Sequence, residues 1–120
     1  MRGALGAGKT TWVRGILRGL HHTGPVKSPT YTLLEPYYLK ECNVYHFDLY
    51  RLKDPGELED LGFRDYLDGS GVCLVEWPER GGNYMPEPDC LIDIKYDNGD
   101  RYLTMICATR LGESLCASMC

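Results

Sequence analysis

A chain of 120 residues has room for one domain with a modest core. Its 43% hydrophobic and 25% charged content is that of an ordinary globular domain, and a net charge of −4 argues against a charge-driven surface for nucleic acid. No apolar run reaches membrane-spanning length and no charged-then-apolar segment opens the chain, so a soluble cytoplasmic protein without membrane contact is expected.

The chain begins on Gly3-Ala4-Leu5-Gly6-Ala7-Gly8-Lys9-Thr10-Thr11, which fits the phosphate-loop pattern G-x-x-x-x-G-K-[ST]. The glycines let the backbone curl and bring its N–H groups close to phosphate oxygens. Lys9 supplies a point charge for the outer phosphates. The Thr10 hydroxyl is a hard oxygen ligand suited to Mg²⁺. A following helix adds its positive end. The plain alternative is a glycine turn leading into a helix. Only Met1 and Arg2 precede Gly3, too few for the buried strand that such a loop follows. The expectation is therefore a sheet lacking its first strand, either in a shortened chain or because the natural start lies before Met1.

Trp12, Val13, Ile16, Leu17 and Leu20 recur at helical spacing and predict a helix from Lys9 to about Leu20, closed by Thr23-Gly24-Pro25. His21 and His22 are adjacent and face different directions on a helix, which fits surface histidines better than a shared metal. Lys27-Ser28-Pro29-Thr30 reads as a polar loop, and Tyr31 to Glu35 as a strand. Thr30 is either a switch threonine sensing the γ-phosphate or a turn hydroxyl. Pro36 to Asn43 reads as a hairpin loop, and Val44 to Tyr50 as the next strand. Asp48 near its end is either a Walker B carboxylate or a cap for the following turn.

Asp54-Pro55-Gly56-Glu57 is a helix start, Gly62 a stop, and Phe63 to Leu67 a further short helical stretch. Val72-Cys73-Leu74-Val75 reads as a buried parallel strand. It ends in Glu76, where open α/β sheets keep ligand-binding groups. Trp77 either packs over the site or fills the core. Residues 89–96 and 101–108 alternate around Asp97-Asn98-Gly99-Asp100, an antiparallel hairpin at one sheet edge. After Thr109 no periodicity remains, and 109–120 reads as a poorly ordered tail. The six cysteines form no C-x-x-C pair and match no zinc template; Cys73, Cys90 and Cys107 read as small core hydrophobes, with no disulfide framework expected.

Four blocks stand in order and spacing: Gly6-Ala7-Gly8-Lys9-Thr10-Thr11, Ser28-Pro29-Thr30-Tyr31-Thr32-Leu33, Tyr45-His46-Phe47-Asp48-Leu49-Tyr50-Arg51-Leu52 and Glu76-Trp77-Pro78-Glu79-Arg80. Together they resemble the TsaE (YjeE) family, the ATPase component of bacterial tRNA threonylcarbamoyladenosine synthesis. The resemblance runs from about Gly3 to Ala108. It implies one α/β domain over residues 1–120, with a P-loop NTPase-like, mostly parallel sheet and an antiparallel edge hairpin. It also implies an ATP- and Mg²⁺-binding hydrolase working with TsaB and TsaD, and with tRNA indirectly through them. By position, Gly6, Ala7, Gly8, Lys9, Thr10 and Thr11 would wrap the phosphates. Thr10 and Glu76 would hold Mg²⁺, Thr30 would be the switch threonine and Asp48 the Walker B acid. Trp77 would stand beside the nucleotide, and Arg101 would be a late nucleotide contact. Ala4 departs from the family, which has an acidic residue there. Two other readings stay open: a non-catalytic partner-binding module with weakened nucleotide binding, and a small-acceptor kinase, for which the chain has no insert long enough for a lid.

Overall fold

The computed structural model describes residues 1–4, 6–29 and 31–119, the last five of these by backbone alone. Helix α1 spans Lys9–Gly19 as its periodicity predicts, with Val13 and Leu17, one turn apart, completely buried. Strands β2 (Leu34–Tyr38) and β3 (Asn43–Asp48) form an antiparallel hairpin. A short helix α2 (Glu57–Leu61) and a 3₁₀ stretch (Phe63–Leu67) follow, joined at Gly62 with φ of 76°. Strand β4 (Gly71–Glu76) then runs parallel to β3. Strands β5 (Cys90–Asp97) and β6 (Asp100–Cys107) make the second hairpin, turning at Asn98 and Gly99, whose φ angles of 50° and 86° suit Asn-Gly.

The expected gap at the first strand is corrected. Arg2–Gly3 forms a two-residue strand β1, parallel to β5 with Gly3 opposite Ile94. Met1 extends the pairing to the other side: its N donates to Val75 O at 2.6 Å, and Trp77 N donates to Met1 O at 3.3 Å. Residues 1–3 therefore stitch β2-β3-β4 to β1-β5-β6. The junctions at the centre are parallel and both outer hairpins are antiparallel.

The strand placed at residues 31–35 is also shifted. Residues 31–33 are a turn, with Leu33 at φ 65°, and β2 runs on through Pro36. Proline is tolerated because β2 is an edge strand, where a missing N–H breaks no ladder on the open side. The hairpin turn is thereby cut to Leu39–Cys42, closed by Leu39 N to Cys42 O at 3.2 Å. The presumed tail 110–119 is helix α3, Arg110–Met119. Thr109 caps it: its Oγ1 accepts from Gly112 N at 3.0 Å and donates to Asp89 Oδ1 at 2.8 Å. The cap, not an apolar repeat, sets where this helix starts. Cys42 and Cys73 are free thiols, and burial pushes the Cys73 thiol up to about 11, with Asp68 adding to it. Cys107, expected as a plain core thiol, is disulfide-bonded.

Two cores lie on opposite faces of the sheet. Val13 and Leu17 of α1 pack with Val44, Ile92 and Ile94 on one. Tyr45, Phe47, Leu49, Leu58 and Phe63 pack on the other, with Phe47 and Phe63 edge to face at 4.9 Å. Alternation along β3 thus sends Tyr45 and Phe47 one way and Val44, His46 and Asp48 the other, toward α1. That second row meets the start of the helix.

Candidate functional site

The glycine loop between β1 and α1 is shaped by two backbone demands. At Gly3 a Cβ would lie 2.6 Å from Ile94 O, so the close pairing with β5 admits no side chain. Gly8 is the helix N-cap with φ of 109°, and Trp12 N donates to its carbonyl at 3.0 Å. With glycine as N-cap, no side-chain cap among the described residues occupies the start of α1, and its first residues Lys9, Thr10 and Thr11 line the same cavity as the side chains below.

Lys9, at the first helical position, is 4% exposed. Its Nζ donates to Gly3 O at 2.7 Å and to Ala4 O at 2.9 Å, and lies 4.3 Å from the Trp77 ring centroid. Burial holds the ammonium below the ordinary lysine range; Glu76, Asp48 and Glu79 pull it back. Thr10 Oγ1 donates to Glu76 at 3.2 and 3.3 Å. Asp48 and Glu76 are register partners at the ends of β3 and β4, and both are buried. Asp48 is aimed by two donors, Ser28 Oγ at 3.1 Å and Tyr50 N at 3.0 Å. Trp77 leaves β4 in the left-handed region, φ 58°, which turns its ring over Lys9 and against Tyr50.

A cavity of about 440 Å³ collects these groups: Gly6, Gly8, Lys9, Thr10, Thr11, Ser28, Asp48, Tyr50, Arg51, Glu76, Trp77 and Arg101 line it. Arg101, from β6, reaches the loop, its Nε 3.7 Å from where a Gly8 Cβ would stand. It also lines an apolar cleft of about 540 Å³ between α1 and β5–β6, on the other side of Gly8. The sequence-predicted residues Gly6, Gly8, Lys9, Thr10, Thr11, Asp48, Glu76, Trp77 and Arg101 therefore share one cavity, and Ala7 lies buried behind it. Thr30 lies outside the described residues.

Sequence reasoning assigned no role to Ser28, Tyr50, Arg51 or His46. Arg51 lines the cavity with its guanidinium 4.6 Å from the Tyr31 ring. His46 lies one layer down, with Nε2 2.5 Å from Glu76 Oε2. The signal for His46 was available: it precedes Asp48 by two on a strand and so shares its face.

The chemistry of the donor set is specific. Thr10 Oγ1 and the carboxylates of Asp48 and Glu76 are all hard oxygens, the set that Mg²⁺ selects when phosphates and water complete its shell. Among the described residues, no group of three or more His, Cys, Asp or Glu forms a cage that would hold a metal alone. The amides and Lys9 offer the complementary surface for an anion. No helix among the described residues is long and apolar enough to cross a membrane.

The family model for the threonylcarbamoyl adenosine biosynthesis protein TsaE matches residues 1–103. The tRNA threonylcarbamoyladenosine biosynthesis protein TsaE of Haemophilus influenzae is 50% identical over 115 residues, covering 96% of this chain and 73% of that protein. The Bacillus subtilis protein of the same name is 40% identical over 120 residues, covering 99% and 75%. The crystal structure of Bacillus subtilis YdiB superposes with a TM-score of 0.81 at 34% identity, covering 98% of this chain and 72% of that one.

Proposed function

This chain belongs to the TsaE family, and from that premise we propose that it binds ATP with Mg²⁺ and hydrolyses it in tRNA threonylcarbamoyladenosine biosynthesis, together with TsaB- and TsaD-like subunits. One observation carries the reading. A buried ammonium, a helix N-terminus and two adjacent buried carboxylates open into one cavity of about 440 Å³. Cation and anion surfaces so close together suit a ligand that brings both charges, a metal-bound polyphosphate.

In this reading the loop is a P-loop. The amides of Gly6 to Thr11 bind the phosphates, and Lys9 exchanges its contacts with Gly3 O and Ala4 O for phosphate oxygens. Thr10 and Glu76 hold Mg²⁺, which neutralises charge on the transferred phosphoryl group when bound. Asp48, fixed by Ser28 and Tyr50 N, acts as the Walker B acid, which would hold Mg²⁺ directly or through water. Thr30 is the switch threonine. Trp77 walls the site over Lys9, and Arg101 contacts the nucleotide from β6.

A second reading has an observation of its own. Lys9 is already held by two carbonyls and a ring, contacts that phosphate must displace. A chain in which they win would bind partners but hold nucleotide poorly. ATP turnover, measured with and without the two partner subunits, separates the readings. Turnover that needs the partners and disappears in Lys9→Ala supports hydrolysis. Partner binding indifferent to nucleotide, with no turnover in any mixture, supports the non-catalytic module.

A further inference from the structure

We infer that His46 is a positioning residue for the metal site: it fixes the Glu76 carboxylate so that this group meets Thr10 and a divalent cation in one orientation. The inference rests on the proposed Mg²⁺–nucleotide reading and concerns a residue that reading does not use.

The geometry is direct. His46 Nε2 stands 2.5 Å from Glu76 Oε2, and the two residues are 0% and 2% exposed. Both oxygens of the same carboxylate lie 3.2–3.3 Å from Thr10 Oγ1. Glu76 is thus held between a strand on one side and a helix on the other. His46 itself does not line the cavity. Whatever it does for a ligand there, it does through Glu76.

Burial identifies the direction of the hydrogen bond. Nδ1 of His46 is buried with no partner among the described residues. With the proton on Nε2, the ring donates to the carboxylate and only a lone pair at Nδ1 is left over. With the proton on Nδ1, a buried N–H would go unpaired and two acceptors would face each other, which costs more. Nε2–H therefore donates to Glu76 Oε2.

The benefit lies in freedom removed beforehand. A glutamate side chain turns about three torsions, and a metal ligand must hold one of their combinations. Asp48 is shorter and takes its orientation from Ser28 and Tyr50 N. Glu76 takes its fixed partner from a side chain instead, His46. Hydrogen bonds behind a liganding carboxylate set metal affinity in this way, and their loss typically weakens it 10- to 100-fold.

The test uses the whole chain with ADP and Mn²⁺ as probes. ADP affinity is measured in EDTA by calorimetry, and Mn²⁺ affinity of the ADP-bound chain by electron paramagnetic resonance. For His46→Ala we expect Mn²⁺ affinity to fall about 10- to 100-fold while ADP affinity in EDTA stays within about twofold. His46→Gln, whose amide places an N–H near the Nε2 position, is expected to recover most of the loss. Unchanged Mn²⁺ affinity in a folded His46→Ala overturns the inference. So does an equal fall in both affinities, which would mark a collapsed loop. A measurement on the parent chain guards against a variant that does not fold: long-range ¹H–¹⁵N correlation is expected to find the His46 proton on Nε2, shifted downfield. A proton on Nδ1 with none on Nε2 overturns the inference. A parent chain that binds no Mn²⁺–ADP removes the proposed function and this inference together, whereas binding by the parent and by His46→Ala alike removes this inference only.

Discussion

Asp48 and Glu76 stand side by side in register at the carboxyl ends of the parallel strands β3 and β4, and are 6% and 2% exposed. Like charges this close and this dry disfavour each other unless a cation lies between or beside them. Lys9 is one such cation, and its ammonium is drawn by both carboxylates. A divalent ion would be a stronger one. Glu76→Gln keeps the shape and removes one charge. It is expected to lower Mg²⁺-dependent ATP turnover by at least about 100-fold. Without metal its thermal midpoint should equal or exceed that of the parent, because one repulsion is relieved. A steady-state ATPase assay and a thermal scan in EDTA check the two halves. Parent-level turnover would remove Glu76 from the site.

At Lys9, pH acts on ligand affinity and on folding stability in opposite directions. Burial holds the folded-state pKa below the ordinary lysine value of 10.5. Phosphate binding needs the ammonium, so ATP affinity should begin to fall at a pH below 10.5. Folding responds the other way. The charged form is disfavoured in the folded chain, so its cost is fully present below the folded pKa. That cost is released as pH rises from the folded pKa toward 10.5. Stability from this group therefore rises with pH across that window while affinity drops. Lys9→Met should flatten both trends and lose about 1.5–3 kcal/mol of ATP binding, roughly ten- to a hundredfold. Nucleotide titrations and thermal scans of both chains from neutral pH upward provide the comparison.

Much of this site was legible because it is built at element ends with local signals. The glycine loop announces itself by spacing, and Asp48 and Glu76 by closing apolar strands. Parallel pairing of β3 with β4 then brings the two acids together, a relation between strands that neither strand's own sequence states. His46 was missed because a histidine amid Tyr45 and Phe47 reads as core filling. Only the alternation that puts Tyr45 and Phe47 on the far face exposes its kinship with Asp48. β1 was missed for a different reason. Two residues carry no period, and their role as a seam comes entirely from partners at Val75, Trp77 and Ile94, far along the chain. Similarly, α3 has a side-chain cap at Thr109 that composition does not reveal.

Phe47 tests whether the face opposite the site is needed for stability and not for chemistry. It is fully buried, stacked edge to face on Phe63 at 4.9 Å and on Tyr66 at 5.6 Å. Phe47→Ala should cost about 3–5 kcal/mol from lost burial and the cavity left behind. At a temperature where the variant remains folded, its ATP affinity should stay near the parent's, because Phe47 points away from α1. Denaturant unfolding and nucleotide titration measure the two quantities. A large loss of affinity in the folded variant would mean that the two faces are coupled through β3.

Gly3 is where fold and site meet, and substitution there should damage both. Its φ is 155°, and a Cβ would lie 2.6 Å from Ile94 O and 3.3 Å from the Ala7 side chain. Ile94 is its register partner, so the backbone cannot withdraw without opening the β1–β5 seam. Its carbonyl also anchors Lys9 Nζ at 2.7 Å. Gly6→Ala is the matched control: φ is 81°, equally unwelcome to a side chain, but nothing lies within 4 Å. Backbone strain alone should cost Gly6→Ala about 1 kcal/mol. Gly3→Ala should add the collision and lose about 2–4 kcal/mol in total, with weaker ATP binding because the Lys9 anchor shifts. Thermal unfolding of the two variants side by side decides the matter. If they lose equal stability, the close approach of Gly3 to β5 is not what requires glycine, and the seam at residues 1–3 is looser than this packing implies.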